Sequence, residues 1–145
     1  MTARTFISCL LFCFFSGFVS AGEKAKSNTP LPTTISGITT VSADKLANML
    51  ASNDDLLVID ARIQKGRSKG YIDGSIHLPD VDTTCDSLAK HIPSKVAKVV
   101  FYCSSSECGR SMNAVTQAQT CGYQNLYWFR EGFHEWKKSG YPYSK

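Results

Sequence analysis

The residue with the clearest chemical potential is Cys103, at the start of a loop that ends at Ser111. Residues 99–102 are apolar or aromatic and predict a buried strand, and the small polar residues of the loop separate that strand from a helix. In open α/β sheets, ligands bind in the crevice beyond the carboxyl ends of the strands. The position of Cys103 therefore predicts a nucleophile. The alternative is a small buried side chain or one half of a structural disulfide.

The loop after Cys103 is suited to holding negative charge. Successive backbone N–H groups of small residues can curl into a nest, and a helix N-terminus behind them favours an anion. The same field lowers the pKa of a thiol. We therefore expect Cys103 to be an ionised sulfur, ringed by loop amides and open to anions from solvent.

Two more ionisable residues follow another apolar run. Residues 56–59 predict a strand buried on both faces, and Asp60 and Arg62 come directly after it. The two side chains can form an ion pair that orders the rim of the site. Arg62 can instead contact a substrate.

The cysteines leave several pairings open. Four of the six lie beyond the amino-terminal apolar segment, namely Cys85, Cys103, Cys108 and Cys121, and four cysteines allow three complete pairings. Cys103 and Cys108 bracket a tight loop, so they can close as a permanent disulfide, or Cys108 can resolve a persulfide or sulfenate on Cys103. We expect Cys121 to be an inert core thiol and Cys85 to be free or cross-linked.

The first 21 residues have the pattern of a cleaved secretory signal. Arg4 precedes an apolar segment that ends in small residues at Ala21. This segment is too short for a spanning helix, which needs about 20 apolar residues; a retained N-terminal anchor is the alternative. Residues 22–37 are rich in Lys, Ser, Thr and Pro and predict a flexible tether. We expect a periplasmic or secreted protein without stable membrane insertion.

Predicted strands alternate with predicted helices from residue 38 to residue 145. This alternation predicts one α/β domain with a parallel sheet covered by helices on both faces. The net charge of +4 comes from scattered lysines and arginines, so we expect no nucleic-acid partner. The spacing of His77, His91 and His134 predicts no metal site. We expect the domain to be a monomer.

Several short pieces of the sequence resemble the rhodanese family over nearly all of residues 38–142. Each piece is weak alone, but their order and spacing together are specific. The pieces are residues 58–62, residues 70–79, residues 101–103 with Arg110 and Ser111, residues 122–123, residues 131–132 with Trp136, and residues 140–142. The resemblance implies a single rhodanese-like domain with a five-stranded parallel sheet and helices on both faces.

The resemblance also implies sulfurtransferase chemistry. In such enzymes a cysteine, here Cys103, takes the outer sulfur of an anionic donor such as thiosulfate as a persulfide and passes it to cyanide or a thiol. No metal or organic cofactor is implied, because the sulfur is carried covalently. The residues implied to bind substrate are Ser104, Ser105, Ser106, Glu107, Gly109, Arg110 and Arg62.

The sequence departs from the family pattern within the loop. Six residues separate Cys103 from Arg110, more than in the usual loop, and Cys108 occupies the position where the family has its arginine. The longer loop also resembles that of related phosphatases and arsenate reductases. A third interpretation is a non-catalytic module that relays sulfur or redox equivalents to an exported partner protein through Cys103 and Cys108.

Overall fold

Short apolar segments form a parallel sheet at the centre of the protein. The structure is a computed structural model that describes residues 30–53 and 55–145. The strands are β1 (Thr39–Thr40), β2 (Leu57–Asp60), β3 (Tyr71–Ile72), β4 (Ile76–His77), β5 (Lys98–Tyr102), β6 (Asn125–Phe129) and β7 (Tyr143–Ser144). Five of them form the main sheet in the order β1-β6-β5-β2-β4, and all neighbours are parallel. The predicted five-stranded parallel sheet is confirmed.

The connections between the strands contain the helices. These are α1 (Ala43–Ser52), α2 (Gln64–Arg67), α3 (Cys85–His91), α4 (Arg110–Thr120) and α5 (Gly132–Lys138). Helix α1 begins after Ser42, whose hydroxyl oxygen accepts a hydrogen bond from Lys45 N–H at 3.2 Å. The long helix α4 begins directly after the loop that contains Cys108, so the loop runs from the end of β5 to a helix N-terminus.

The side chains of β5 alternate between two apolar clusters. Val99 and Phe101 pack with residues of α3 and α4, whereas Val100 and Tyr102 pack with residues of α1 and α5. All four side chains are fully buried. Because successive side chains of a strand point to opposite faces, the sheet is covered by helices on both faces, as the sequence predicts.

A second, smaller sheet was not predicted. Strands β3 and β7 pair antiparallel, with Tyr71 opposite Ser144 and Ile72 opposite Tyr143. Each strand has only two residues, too few to show an alternating pattern in the sequence. The pair holds residues near the carboxyl end of the chain beside the loop that follows α2.

Part of the predicted tether contacts the domain. Gln119 of α4 donates a hydrogen bond from Nε2 to the Ser36 carbonyl at 2.9 Å, and Arg130 donates from Nε to the Pro32 carbonyl at 3.0 Å. Residues 32 and 36 of the predicted tether thus contact the residue after β6 and α4, and the flexibility of the tether stays a prediction. The predicted signal, residues 1–21, and residues 22–29 lie outside the described residues. Over residues 30–53 and 55–145, no helix combines the length and apolar character needed to cross a membrane.

A disulfide joins helix α3 to the end of helix α4. Cys85, the first residue of α3, is bonded to Cys121, which caps the carboxyl end of α4, with 5.4 Å between their Cα atoms. The expectation that Cys121 is an inert core thiol is therefore wrong. Cys121 is half-buried at the end of its helix, where α3 brings Cys85 within bonding reach.

Candidate active site

Cys103 lies where the sequence places it, directly after the central strand β5. It is at the carboxyl edge of the sheet, because Tyr102 pairs with Asp60 of β2 on one side and with Phe129 of β6 on the other. The loops that follow these three strands therefore meet at Cys103. Cys103 is nevertheless fully buried, which corrects the expectation that its sulfur is open to solvent.

The backbone at the start of the loop is fixed by the first turn of α5. Phe133 N–H donates to the Cys103 carbonyl and His134 N–H donates to the Ser104 carbonyl, both at 2.9 Å. Further along the loop, Cys108 N–H donates to the Ser105 carbonyl at 3.0 Å and closes a turn. Helix α5 thus sets the position of Cys103.

Gly132 allows the close approach between α5 and the loop. Its φ is +67°, and a Cβ at this position would lie 2.5 Å from the Cys103 carbonyl oxygen. We expect Gly132→Ala to lower the free energy of unfolding by about 2–5 kcal/mol, since a left-handed backbone costs roughly 1–2 kcal/mol and overpacking typically 1–3 kcal/mol. Urea unfolding measures the change.

Gly140 provides the matched control for this substitution. Its φ is +80°, and a Cβ added there would meet nothing within 4 Å. Gly140→Ala should therefore lower the free energy of unfolding only by the cost of the left-handed backbone, about 1–2 kcal/mol. Equal losses for the two variants would contradict a steric role for Gly132.

The loop is closed by a disulfide between Cys103 and Cys108. Their Cα atoms are 6.1 Å apart, within the range of about 4.4–6.8 Å that disulfides span. The Cys103 sulfur is therefore bonded to Cys108 in this structure, which differs from the expected ionised sulfur. The sequence left the state of this pair open, and a disulfide is the arrangement present.

The other loop residues predicted to bind substrate differ in exposure. Glu107 is exposed, whereas Ser104, Ser105, Ser106, Gly109 and Arg110 are half-buried. Arg110 begins α4 and its Nη1 donates to Asp80 Oδ1 at 2.6 Å. The guanidinium is therefore paired with a carboxylate in this structure rather than presented to an anion.

Behind the loop, Asp60 is the centre of a buried polar network. Its carboxylate is fully buried and accepts hydrogen bonds from Arg62 Nε at 2.8 Å, Arg62 Nη2 at 2.6 Å, Arg67 Nη1 at 3.2 Å and Tyr102 Oη at 2.9 Å. The predicted ion pair between Asp60 and Arg62 is thus present. Two guanidinium groups and a phenol satisfy one carboxylate, so the ends of β2 and β5 are tied together.

Arg62 is a structural residue rather than the free anion ligand implied by the resemblance. Besides its bonds to Asp60, it donates from Nη1 to the Gly66 carbonyl at 3.2 Å and from Nη2 to the Gly70 carbonyl at 2.9 Å. These four bonds leave one of the five guanidinium N–H groups for anything else. The residue is 3% exposed, so a dissolved anion has little access to it.

Two groups of this network, the Tyr102 hydroxyl and the Arg62 guanidinium, have pKa values raised by their surroundings. Burial, followed by the charge of Asp60, raises the pKa of Tyr102, so its hydroxyl stays protonated and donates to the carboxylate. Burial alone would lower the pKa of Arg62, but the hydrogen bond and charge of Asp60 outweigh it and raise that pKa. Both groups therefore keep their protons near neutral pH.

A cleft with a cationic lining opens beside the loop, and the sequence did not predict it. It has a volume of about 330 Å³ and lies next to Ser104; its charged or titratable lining residues are Arg62, Lys69, His134 and Lys137. Among the described residues that line it, none is acidic. Lys69 lies in the loop after α2 and Lys137 lies on α5, far apart in the sequence, so no local spacing indicates that they share a cleft.

Comparison with known proteins identifies the fold family. A family model of the rhodanese-like domain matches residues 42–139. An uncharacterised protein of Buchnera aphidicola subsp. Baizongia pistaciae is 28% identical over 104 residues, which cover 70% of this chain and 69% of that protein.

Solved structures with the same fold have diverse descriptions. The rhodanese-like domain of an Anabaena protein has a TM-score of 0.63 at 20% identity, over 72% of this chain and 77% of that one. A thiosulfate sulfurtransferase of Pseudomonas aeruginosa has a TM-score of 0.59 at 18% identity, over 74% of this chain and 20% of that one. A Rhodopseudomonas palustris protein described as a possible tyrosine phosphatase has a TM-score of 0.63 at 22% identity, over 79% of this chain and 99% of that one. Since the family model spans well over half of the sequence, the chain belongs to the rhodanese-like domain family.

Proposed function

We propose that the protein is a sulfurtransferase in which Cys103 carries sulfane sulfur from thiosulfate, or a related anionic donor, to a thiophilic acceptor. The observation that carries the proposal is the position of Cys103, anchored by α5 at the carboxyl edge of the sheet and directly before Ser104, which lines the cleft that contains Lys69 and Lys137. A cysteine at this edge supports nucleophilic chemistry, and the cationic cleft supports an anionic donor.

Cys103 is buried while the loop disulfide is closed, so the reaction requires that reduction of this disulfide comes first and that the freed loop then uncovers the Cys103 sulfur. The Cys103 thiolate then attacks the outer sulfur of thiosulfate; the new S–S bond forms as the bond to the sulfonate breaks, and sulfite leaves. A cyanide or thiol acceptor attacks the outer sulfur of the resulting persulfide and restores the thiolate. The chain's own residues supply the nucleophile and the attraction of the donor, and we propose no metal or organic cofactor.

We further propose that the protein acts outside the cytoplasm as a monomer, with an exported protein as a further partner. The signal-like pattern of residues 1–21 supports export. Two disulfides in one small domain support the same compartment, because such bonds persist in oxidising environments.

Intact mass spectrometry after thiosulfate treatment tests the proposal. With the loop pair reduced and excess reductant removed, we expect sulfite release and, where the persulfide is trapped by alkylation, a gain of about one sulfur atom that maps to Cys103. Absence of both sulfite and added sulfur, in a sample whose loop thiols titrate as free, would contradict it. A stable persulfide that no small acceptor removes would instead favour the sulfur-relay module.

A phosphatase is the second candidate, because the loop from Cys103 to Arg110 is long enough to surround a tetrahedral oxyanion. The contacts favour it less, since Arg110 is paired with Asp80 and Cys108 closes the loop. Hydrolysis of p-nitrophenyl phosphate by the reduced protein separates the two candidates: turnover that is lost in Cys103→Ser would support the phosphatase.

The lysines of the cleft are expected to attract the donor. Two opposite unit charges about 4 Å apart in water have an attractive interaction energy of about 1 kcal/mol, and thiosulfate carries two negative charges. The Lys69→Gln/Lys137→Gln variant should therefore raise KM for thiosulfate by on the order of five- to tenfold, with a small effect on kcat and a weaker salt dependence. Steady-state kinetics at several ionic strengths measure these changes.

Lys45→Gln/Lys90→Gln is the matched control for the two cleft lysines. Lys45 on α1 and Lys90 on α3 are exposed and line no part of the cleft, so this variant removes two positive charges elsewhere on the surface. KM should stay near that of the wild type. An equal rise in both proteins would assign the effect to net charge rather than to the cleft.

A further inference from the structure

We infer that Cys108 is the resolving residue of this site: its thiol attacks the Cys103 persulfide, expels the transferred sulfur as hydrosulfide and forms the Cys103–Cys108 disulfide. The inference rests on the proposed sulfurtransferase function and specifies how the sulfur leaves. It predicts a protein that reduces sulfane sulfur at the expense of a dithiol, instead of one that only passes sulfur on.

The backbone of the loop already supports this step. The carbonyls of Cys103 and Ser104 are fixed by α5, and the turn from Ser105 to Cys108 places the two Cα atoms 6.1 Å apart. A disulfide forms at that separation without moving the anchored end of the loop. Cys108 is thus within reach of Cys103 whenever both are reduced.

The two cysteines of the disulfide differ in exposure, and this difference determines which of them an external thiol attacks. Cys103 is fully buried, whereas Cys108 is half-buried. An external thiol therefore attacks Cys108, and Cys103 is the leaving thiolate. Reduction by this route returns the nucleophile in its reactive form.

The steps balance in atoms and electrons. The Cys103 thiolate and thiosulfate give the Cys103 persulfide and sulfite. The Cys108 thiol then bonds to Cys103 Sγ; the bond between Cys103 Sγ and the outer sulfur breaks, and that sulfur leaves as hydrosulfide with the Cys108 proton. A dithiol reduces the resulting disulfide in two exchange steps and becomes a disulfide itself. Two electrons thus pass from the dithiol to the outer sulfur of thiosulfate.

The second disulfide of the domain does not have these features. Cys85 and Cys121 link two helices across 36 residues of chain, and they lie away from the lysine-lined cleft. In the chain-entropy account, a disulfide stabilises more when the loop that it closes is longer. The Cys85–Cys121 disulfide is therefore suited to stabilising the fold, whereas the Cys103–Cys108 disulfide, which closes a short loop, is suited to thiol–disulfide exchange.

A single-turnover experiment tests the inference. The protein, with its loop pair reduced and reductant removed, receives one equivalent of thiosulfate without oxygen. We expect the wild type to release one sulfite and one hydrosulfide and to end as the Cys103–Cys108 disulfide, two hydrogens lighter than the reduced form. Cys108→Ser should release sulfite only and keep one added sulfur on Cys103, with a persulfide lifetime at least about tenfold longer.

The results separate failure of this inference from failure of the proposed function. Sulfite release with a persulfide that persists equally in the wild type and in Cys108→Ser would overturn the resolving role and leave sulfur uptake intact. No sulfite from either protein would overturn both. Cys108→Ala serves as a second variant, and the Cys85→Ala/Cys121→Ala variant should release hydrosulfide as the wild type does; loss of release there would also contradict the assignment to Cys108.

Discussion

Replacing Cys103 with serine is expected to lower the rate of thiocyanate formation from thiosulfate and cyanide by at least about a thousandfold. A hydroxyl at this position is not ionised near neutral pH and forms no persulfide, whereas the loop, the cleft and the Asp60 network stay in place. Colorimetric detection of thiocyanate with reduced protein measures the effect. The loss should appear in kcat, because the covalent intermediate itself is removed.

The Cys85→Ala/Cys121→Ala variant is the matched control, because it removes two cysteines that lie outside the loop. It should retain the activity of the wild type at temperatures where circular dichroism shows it folded. Thiocyanate formation by Cys103→Ser at the rate of the wild type would end the proposal that Cys103 is the nucleophile.

Removal of the Asp60 carboxylate is expected to produce the largest loss of stability. In Asp60→Ala, Arg62 remains buried at 3% exposure with its charge uncompensated, and Arg67 and Tyr102 each lose a hydrogen-bond acceptor. Breaking a buried ion pair by removing one partner costs about 3–5 kcal/mol, and we expect a loss of that size in the free energy of unfolding. Urea unfolding with both disulfides intact measures it.

Two further variants separate charge from shape. Asp60→Asn keeps the size of the side chain but not its charge, so it should lose most of the same free energy. Glu135→Ala breaks an exposed pair with Lys138 and should cost less than about 1 kcal/mol. A value for Asp60→Ala within the range of Glu135→Ala would show that the buried network contributes little.

The sequence predicted the fold well because its signals are local. The apolar runs that became β2 and β5 are continuous, and each is followed at once by polar residues that end the strand. The order of the rhodanese-like pieces then implied the sheet. The pair of β3 and β7 was missed because two-residue strands depend on contacts between distant parts of the chain, which no local pattern encodes.

The site was predicted in part for the same reason. Asp60 and Arg62 are two residues apart, so their ion pair could be expected from the sequence. Tyr102 was assigned only to a buried strand, although a buried tyrosine hydroxyl needs a hydrogen-bond partner, and that need was the available signal. Lys69 and Lys137 carried no signal, because only the folded chain brings them to one cleft.

The pairing of β1 with β6 has a consequence for biosynthesis. Thr39 lies opposite Tyr127, so a ribosome that has already made β1 must add most of the domain before the partner of that strand exists. Such long-range parallel pairing is slow, and nascent chains that stop short of residue 125 leave the edges of β1 and β5 without partners. Open strand edges promote aggregation, so the sheet depends on completion of the chain, and premature termination before β6 should give insoluble fragments rather than a smaller domain.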